Sequence, residues 1–260
     1  MPDLGYTQDE LMTIAAARWL QNDMVCFVGI GIPSAAANLA RLTHAPNVVL
    51  IYESGTIGTR PEVLPLSIGD GELAETADTV VSVPEIFRYW LQGSRIDVGF
   101  LGAAQIDRFA NLNSTVIGEY QKPRARLPGA GGAPEIASAA KEVVIVLSQT
   151  NKTFVSKIDF ITSSGLTKIT EDKSGDLKRS YRPRTVVTDM GVMESDAMTG
   201  ELVLTAVHPE ITREQVQAAT AWDLRVSVNL AVTPRPSEVE LVTLRELKDR
   251  TALAHSKTTS

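Results

Sequence analysis

The sequence is poor in the residues on which disulfide-bonded, metal-binding and nucleic-acid-binding proteins depend. It contains one cysteine and three histidines among 260 residues, which excludes an internal disulfide and a cysteine-rich zinc site. The net charge is −6, and this acidity argues against nucleic acid and against an anionic membrane surface as partners. The single cysteine, Cys26, lies in the apolar run Met24–Val28. We expect it to be a buried, inert thiol in a reducing compartment.

Long hydrophobic runs and targeting signals are also missing. The longest mainly apolar stretch covers residues 24–33, well short of the roughly 18 residues that a transmembrane helix needs. The beginning of the sequence mixes Asp9, Glu10 and Arg18 and lacks the basic-then-apolar order of a signal peptide. We therefore expect a cytoplasmic protein that makes no membrane contact.

The pattern that is present favours an α/β fold. Hydrophobic residues make up 43% and charged residues 22%, close to the average of globular proteins. Apolar, β-branched runs at 25–28 and 48–52 predict buried strands of a parallel sheet. The spacing of Thr7 and Glu10 fits a helix-capping box, and a helical run covers Ser34–Leu42. Closely spaced strand candidates follow, so we predict an open, mainly parallel sheet flanked by helices with additional antiparallel strands.

We interpret residues 1–260 as a single domain, because no repeat and no linker composition interrupts the pattern. Residues 167–184 hold nine Lys, Arg, Asp and Glu residues and are predicted to form an exposed loop. Apolar strands resume directly after this segment, which argues against a domain linker there. The tail, 255–260, is expected to be disordered.

A first glycine-rich turn, Gly29–Ser34, lies between a predicted strand and a predicted helix. Its backbone amides could face an anion at the helix N-terminus. It also imitates a dinucleotide fingerprint, with Glu53 where a ribose-binding acid would stand, but Ser34 replaces the third glycine and Pro33 intrudes. A purely structural tight turn is the third interpretation, and the residues alone do not decide among them.

A second glycine turn, Glu53-Ser54-Gly55, directly follows a predicted buried strand. Open α/β sheets build their sites at the carboxyl ends of strands, although a solvated loop acid would show the same pattern. The sequence lacks a Gly-x-Ser-x-Gly elbow, a His-Glu-x-x-His motif and a Gly-Lys-Ser/Thr phosphate loop. His208 is expected to end a strand, and Cys26 lies inside an apolar run. By elimination, the best nucleophile of the chain is a carboxylate.

A third stretch, Pro128–Glu135, contains Gly131 and Gly132. Its exposed amides could stabilise a developing oxyanion, and a flexible surface loop is the competing interpretation. Just before it lies a cluster of three cations, Lys122, Arg124 and Arg126. This cluster could meet phosphate or carboxylate groups, or it could simply be a solvated face.

Taken together, the sequence resembles the B subunit of the class I coenzyme A-transferases, in the glutaconate CoA-transferase-like branch. The resemblance covers nearly the whole chain. The pieces that carry it are Cys26–Pro33, Ile51–Gly55, Leu64–Asp70, Phe87–Gly93, Val98–Gln105, Leu127–Glu135 and Leu204–Pro209. The family motif Glu-Asn/Ser-Gly is matched by Glu53-Ser54-Gly55 with serine in the variable position. The resemblance implies the CoA-transferase-like α/β fold.

The resemblance also implies site residues. It makes Glu53 the nucleophile that carries CoA, with a backbone amide at Gly131 or Gly132 in the oxyanion hole. The residues expected to contact substrate or CoA are Gly29, Gly31, Pro33, Ser54, Gly55, Gln105, Lys122, Arg124 and Arg126. No metal and no permanently bound cofactor is implied, since the coenzyme A thioester is a substrate.

The implied activity is the transfer of CoA between a succinyl-CoA donor and a dicarboxylic or 3-oxo acid. The implied partner is a CoA-transferase A subunit of similar fold, in an α₂β₂ assembly. Two enzyme alternatives remain open, namely transfer to glutaconate or another dicarboxylate and hydrolysis of an acyl-CoA on the same scaffold. A nucleotide-binding regulatory module that uses Gly29–Ser34 is the non-enzyme alternative.

Overall fold

The computed structural model describes residues 5–171, 177–181 and 183–258. The helices are α1 (Gln8–Ala17), α2 (Ile32–Leu42), α3 (Gly71–Glu75), α4 (Val83–Glu85), α5 (Ala133–Ala139), α6 (Arg213–Ala218) and α7 (Glu238–Thr258), with a π-helix at Ile86–Leu91 after α4. The strands of the first half are β1 (Val25–Phe27), β2 (Val49–Ile51), β3 (Thr56–Ile57), β4 (Thr79–Val80), β5 (Val98–Leu101), β6 (Gln105–Ile106), β7 (Leu112–Asn113) and β8 (Val116–Gly118). Those of the second half are β9 (Pro123–Arg126), β10 (Glu142–Val146), β11 (Leu166–Glu171), β12 (Leu177–Tyr181), β13 (Arg184–Val187), β14 (Gly191–Ser195), β15 (Leu202–Val207) and β16 (Arg225–Val232).

The chain forms two compact units, one of residues 1–100 and 235–260 and the other of residues 101–234. In the first unit, β5, β1 and β2 are parallel neighbours, and β3 and β4 continue the sheet in antiparallel pairing. Phe27 of β1 lies opposite Ile51 of β2, so these strands end side by side. Strands β1, β2 and β5 carry no polar side chain other than the Cys26 thiol and are largely buried, as expected for parallel strands that are covered on both faces.

Three helices of the first unit pack against one another, namely α1, α2 and α7. The predicted capping box opens α1, with Thr7 Oγ1 accepting from the Glu10 backbone N–H at 3.1 Å and Glu10 Oε2 accepting from the Thr7 N–H at 2.8 Å. Glu10 also pairs with Arg245 of α7 at 2.7 Å, and the hydrogen bond from Arg245 lowers the pKa of the Glu10 carboxyl. This ion pair ties the first helix to the last.

The strands of the second unit pair in both parallel and antiparallel fashion. Strands β10 and β13 are parallel, β13, β14 and β15 are antiparallel in turn, and β16 lies parallel to β15. Three two-stranded hairpins, β6–β7, β8–β9 and β11–β12, are separate from these strands. The predicted combination of a mainly parallel arrangement, flanking helices and extra antiparallel strands is confirmed.

Two local expectations differ from the structure. Residues 167–184 are not one loop, because β11 and β12 pair antiparallel within the segment and β13 begins at a buried Arg184. The sequence of β11 contains the β-branched residues Thr167, Ile169 and Thr170, which favour extended backbone, and the count of charges in the segment concealed this preference. Helix α7 continues to Thr258 into the segment expected to be disordered, since neither glycine nor proline interrupts it. Residues 259–260 lie outside the described part of the chain.

The structure also bears on the expectations about cysteine, membrane helices and metal ligands. Cys26 is fully buried in β1, and burial raises the pKa of its thiol, as expected for an inert cysteine. Of the helices that the structure describes, none is long and apolar enough to cross a membrane. Within the same residues, no group of three or more His, Cys, Asp or Glu side chains is arranged to hold a metal ion.

Candidate active site

Glu53 stands on a tight turn at the carboxyl end of β2. The Gly55 N–H donates to the Tyr52 carbonyl at 3.0 Å, and the Tyr52 N–H donates to the Thr56 carbonyl at 3.1 Å, so Tyr52 closes the turn on both sides. Glu53 is half-buried. Its carboxylate makes no hydrogen bond or ion pair to any residue that the structure describes. The chain therefore presents an uncommitted carboxylate at the sheet edge where a site was predicted.

Gly55 is required by the packing of this turn. Its φ is +102°, a conformation that side chains disfavour, and a Cβ at this position would overlap the carbonyl oxygen of Val81. The Val81 N–H in turn donates to the Gly55 carbonyl at 2.9 Å. The glycine thus lets the turn close against the segment after β4.

Ser54 presents an unusual polar atom beside the carboxylate. Its Oγ is buried and has no hydrogen-bond partner among the described residues. Buried hydroxyls are normally satisfied, so an unpaired hydroxyl on the residue after Glu53 is uncommon.

The first glycine turn leaves the sheet next to Glu53. Since Phe27 lies opposite Ile51 and the Val28 N–H donates to the Ile51 carbonyl at 2.9 Å, the segments that follow β1 and β2 share one edge. Gly31, at φ +88°, is the N-cap residue of α2 and is exposed. No side chain caps this helix, so its first amides have no side-chain partner, and the helix begins just beyond the sheet edge that carries Glu53.

The other two predicted residues of this turn also have local packing roles, and their contact with substrate stays a prediction. A Cβ on Gly29 would come within 3.0 Å of the Phe100 carbonyl oxygen, so the glycine allows close approach to β5. Pro33 is buried in the first turn of α2, where its missing N–H costs nothing because that position has no acceptor within the helix.

In the second unit, Gly131 and Gly132 form the turn into α5. Gly131 is exposed at φ +48°, and Gly132 is buried and is the N-cap residue of α5. Neither N–H donates to a backbone carbonyl in the described ranges. The loop before them is held in place, since Ser114 Oγ donates to the Gly129 carbonyl at 2.9 Å.

Gln105 is buried, and its amide is already occupied by the protein. Its Oε1 accepts from Asn113 Nδ2 at 2.7 Å and from the Asp159 N–H at 3.0 Å. Its Nε2 donates to Asp159 Oδ2 at 3.0 Å. The side chain therefore organises the local chain, and both partners were missed by sequence reasoning because no motif signals them.

The three predicted cations are exposed on or beside the β8–β9 hairpin. Arg124 and Arg126 both belong to β9, and the register of the β8–β9 pair shifts between Ala125 and Pro123, so Arg124 lies at an irregularity of the hairpin. Arg126 donates to the Tyr120 carbonyl at 2.7 Å and lies 4.6 Å from the centre of the Tyr120 ring. Lys122 precedes the strand and is equally exposed.

The predicted residues thus fall into two groups. Glu53, Ser54, Gly55, Gly29, Gly31 and Pro33 belong to the first unit and cluster at one sheet edge. Gln105, Lys122, Arg124, Arg126, Gly131 and Gly132 belong to the second unit. Sequence reasoning missed the buried hydrogen bonds of Tyr52, the residue before Glu53, because its partners come from a different element.

The comparison with known families decides between the open interpretations. The family model for coenzyme A transferase matches residues 10–219. The chain belongs to this family. The relationship supports a CoA-transferase enzyme and not a nucleotide-binding regulatory module.

Individual relatives agree with the family. The chain is 59% identical over 258 residues, 97% of both chains, to the B subunit of 3-oxoadipate CoA-transferase from Pseudomonas knackmussii. It is 33% identical to the B subunit of glutaconate CoA-transferase from Acidaminococcus fermentans, over 92% of this chain and 91% of that one. The crystal structure of glutaconate CoA-transferase from the same organism superimposes with a TM-score of 0.83 at 30% identity, covering 93% of this chain and 94% of that one.

Proposed function

We propose that this chain is the B subunit of a succinyl-CoA:3-oxoadipate CoA-transferase that works through Glu53, in the cytoplasmic breakdown of aromatic compounds by the β-ketoadipate pathway. The observation that carries the proposal is the 59% identity, over 97% of both chains, to the B subunit of a 3-oxoadipate CoA-transferase. The position of an uncommitted Glu53 carboxylate at the carboxyl end of β2 supports the same interpretation.

The mechanism follows from what a carboxylate can do. A Glu53 oxygen attacks the thioester carbonyl of succinyl-CoA, which gives a mixed succinyl-glutamyl anhydride and CoA thiolate. The thiolate then attacks the Glu53 carbonyl, which releases succinate and leaves a γ-glutamyl-CoA thioester. The acceptor acid reverses these two steps and leaves as its own CoA thioester. Each exchange is between like groups, so a carboxylate nucleophile suits the reaction better than a hydroxyl or a thiol.

Two other features support this mechanism. The anhydride passes through tetrahedral intermediates with a negatively charged oxygen, which backbone N–H groups stabilise well in a dry site. The uncommitted amides of Gly131 and Gly132 are the proposed donors. The uncapped start of α2 at Gly31 adds positive potential at the Glu53 edge.

The remaining predicted residues have more modest proposed roles. Lys122 and Arg124 are exposed cations that would meet a phosphate of CoA or a substrate carboxylate. Arg126 is partly engaged by Tyr120, so it would support the hairpin as well. Gln105 would act indirectly by fixing the loop that follows it, because its amide is filled by Asn113 and Asp159.

The proposed assembly includes a CoA-transferase A subunit, since the relatives are named as B subunits. We propose an α₂β₂ stoichiometry, with part of the acid-binding site supplied by the A subunit. Coenzyme A enters and leaves as part of the substrate, and no permanently bound cofactor is proposed.

The first prediction tests the covalent intermediate. The assembled enzyme is incubated with succinyl-CoA without an acceptor acid and then treated with borohydride, which reduces a glutamyl thioester to an alcohol. Peptide mass analysis should show one oxygen lost and two hydrogens gained at Glu53. Glu53→Ala should abolish transfer while the protein folds, because a change in a half-exposed turn costs little stability.

Glu53→Asp should also be severely impaired, since the shorter side chain withdraws the nucleophile from an attack distance of about 3–3.5 Å. Glu62→Gln, an exposed acid of the same unit, serves as the matched control and should keep wild-type transfer. Labelling of another residue, or no labelling while transfer proceeds, would rule the mechanism out.

A further inference from the structure

The position of the Glu53 carboxylate depends on its backbone. Its side chain has no partner in the part of the chain that the structure describes, so no side-chain contact fixes it before substrate binds. The turn itself is closed by Tyr52, whose N–H and carbonyl form the two hydrogen bonds that flank Glu53. Because one peptide of fixed length joins the two residues, the position of Tyr52 fixes the position of the Glu53 backbone.

Tyr52 is held by its side chain. The ring is fully buried, and its hydroxyl lies 2.8 Å from Ser34 Oγ and 3.4 Å from Asn38 Nδ2. Ser34 and Asn38 are also fully buried and lie one turn apart on α2. Burial raises the pKa of Tyr52 to about 12, so the phenol stays neutral and keeps its proton for a hydrogen bond.

The same network reaches the far side of the hairpin that carries Glu53. Asn38 Nδ2 donates to the Ser34 carbonyl at 3.0 Å, and Arg41 Nε donates to Asn38 Oδ1 at 3.3 Å. Arg41 also donates to the Pro61 carbonyl at 2.8 Å. The beginning of the Glu53 turn is thus held to α2 through Tyr52, and α2 also holds the Pro61 carbonyl beyond β3. Helix α2 itself begins at the glycine turn next to the Glu53 edge.

We propose that Tyr52 is a positioning residue for Glu53, and that its hydroxyl, fixed by Ser34 and Asn38 on α2, sets the rate of transfer without contacting the substrate. This inference rests on the proposed function of Glu53. Effective attack requires the reacting atoms to be placed within a fraction of an ångström, and a displacement of about 1 Å can lower a rate by about 100-fold. A phenylalanine at this position would keep the packing and remove only the anchor.

The role makes a distinctive kinetic prediction. Glu53 reacts in both halves of the proposed reaction, once as it accepts CoA and once as it gives CoA away. A misplaced Glu53 should therefore slow both half-reactions by the same factor. A substrate contact, in contrast, would affect one half-reaction or a KM.

The test uses the assembled enzyme with Tyr52→Phe and Ser34→Ala. For each variant we expect a fall of about 10- to 100-fold in kcat and a similar fall in single-turnover formation of the Glu53 thioester. The KM for succinyl-CoA should stay within about twofold, because the affected interaction is not a substrate contact. The double variant should be no slower than Tyr52→Phe alone, since the Ser34 hydrogen bond is already lost when the Tyr52 hydroxyl is removed.

Thr59→Val is the matched control. Thr59 is equally buried in the same unit, and its hydroxyl likewise makes two hydrogen bonds, to the Leu73 carbonyl at 2.9 Å and to Thr76 Oγ1 at 2.8 Å. The Thr59→Val variant should have a lower melting temperature and an unchanged kcat in the folded enzyme.

The inference is wrong if Tyr52→Phe and Ser34→Ala keep wild-type kcat, or if Thr59→Val is equally slow. In either case, thioester formation on the wild-type enzyme would still support the proposed function. If wild-type enzyme forms no thioester, both are wrong.

Discussion

At the scale of single residues, the site shows two glycines that are needed for different reasons. Gly55 has a positive φ and no room for a Cβ, because the Val81 carbonyl oxygen fills that space. Gly31 also has a positive φ, yet no described atom lies within 4 Å of where its Cβ would be. The first glycine is fixed by packing, and the second leaves its surroundings open for a ligand to approach.

This difference in the space around the Cβ predicts different outcomes for two substitutions. Gly55→Ala should lower stability strongly, since left-handed strain of about 1–2 kcal/mol adds to a clash with backbone. Gly31→Val also carries the strain of a positive φ, but its Cβ meets no described atom, so it should lower stability less than Gly55→Ala. It should lower turnover strongly, because its side chain blocks approach of substrate to the amides of α2. Urea unfolding and kcat, measured on both variants, check this. An unchanged kcat for folded Gly31→Val would show that the turn is structural only.

The same scale shows why only part of the site could be predicted. Glu53 could be placed because its signal is local: a buried strand ends and a glycine turn begins within seven residues. The buried partners of Tyr52 and Gln105 could not, since Ser34 and Asp159 reach them only through the fold. The sequence around a tyrosine or a glutamine does not indicate which element will supply the hydrogen-bond partners of its side chain.

At the scale of elements, one histidine joins three strand ends. His208, Thr188 and Thr233 each directly follow a strand, namely β15, β13 and β16, and these strands run in one direction. His208 Nε2 donates to the Thr188 carbonyl at 2.8 Å, so its Nδ1 accepts from the Thr233 hydroxyl at 3.0 Å. This arrangement uses the neutral imidazole, and burial lowers the pKa of His208 from its ordinary value near 6.5.

This arrangement predicts a pH dependence of stability. Below about pH 6.5, His208 is protonated in the unfolded chain but stays neutral in the folded chain. The free energy of unfolding therefore decreases as the pH is lowered, by up to about 1.4 kcal/mol per pH unit. Above about pH 6.5 the contribution is constant. Urea unfolding between pH 7.5 and 5 should show a shallower decline for His208→Gln. Equal declines for variant and wild type would mean that His208 takes up a proton in the folded state.

Helices and strands with a local sequence signal, such as a capping box or an apolar run, were predicted correctly. Elements in the charged segment were missed because charged composition was taken as a sign of a loop. The capping box of α1 and the apolar runs of β1 and β2 specify their structure locally. The charged segment 167–184 was expected to be a loop because charge was weighed above β-branching, and strands β11, β12 and β13 fill most of it. Charge describes solvent exposure, whereas backbone preference decides pairing, and the two need not agree.

At the scale of the whole molecule, the chain is one half of a proposed enzyme. It matches relatives named as B subunits along nearly their whole length. The proposed anhydride and thioester would hydrolyse if water had free access, and Glu53 is only half-buried in this chain. We therefore infer that the A subunit is needed to exclude water and to complete the grip on the acid.

The last prediction follows from this incompleteness. The purified chain alone should show no detectable CoA transfer from succinyl-CoA to 3-oxoadipate, and titration with the A subunit should restore activity up to a fixed ratio of the chains. A parallel panel with glutaconate should give lower kcat/KM if the acceptor is 3-oxoadipate. The A subunit mixed with Glu53→Ala should remain inactive, which shows that the recovered activity belongs to this chain. Full transfer by the isolated chain would contradict the partner requirement, and a preference for glutaconate would reassign the acceptor while leaving Glu53 as the carrier.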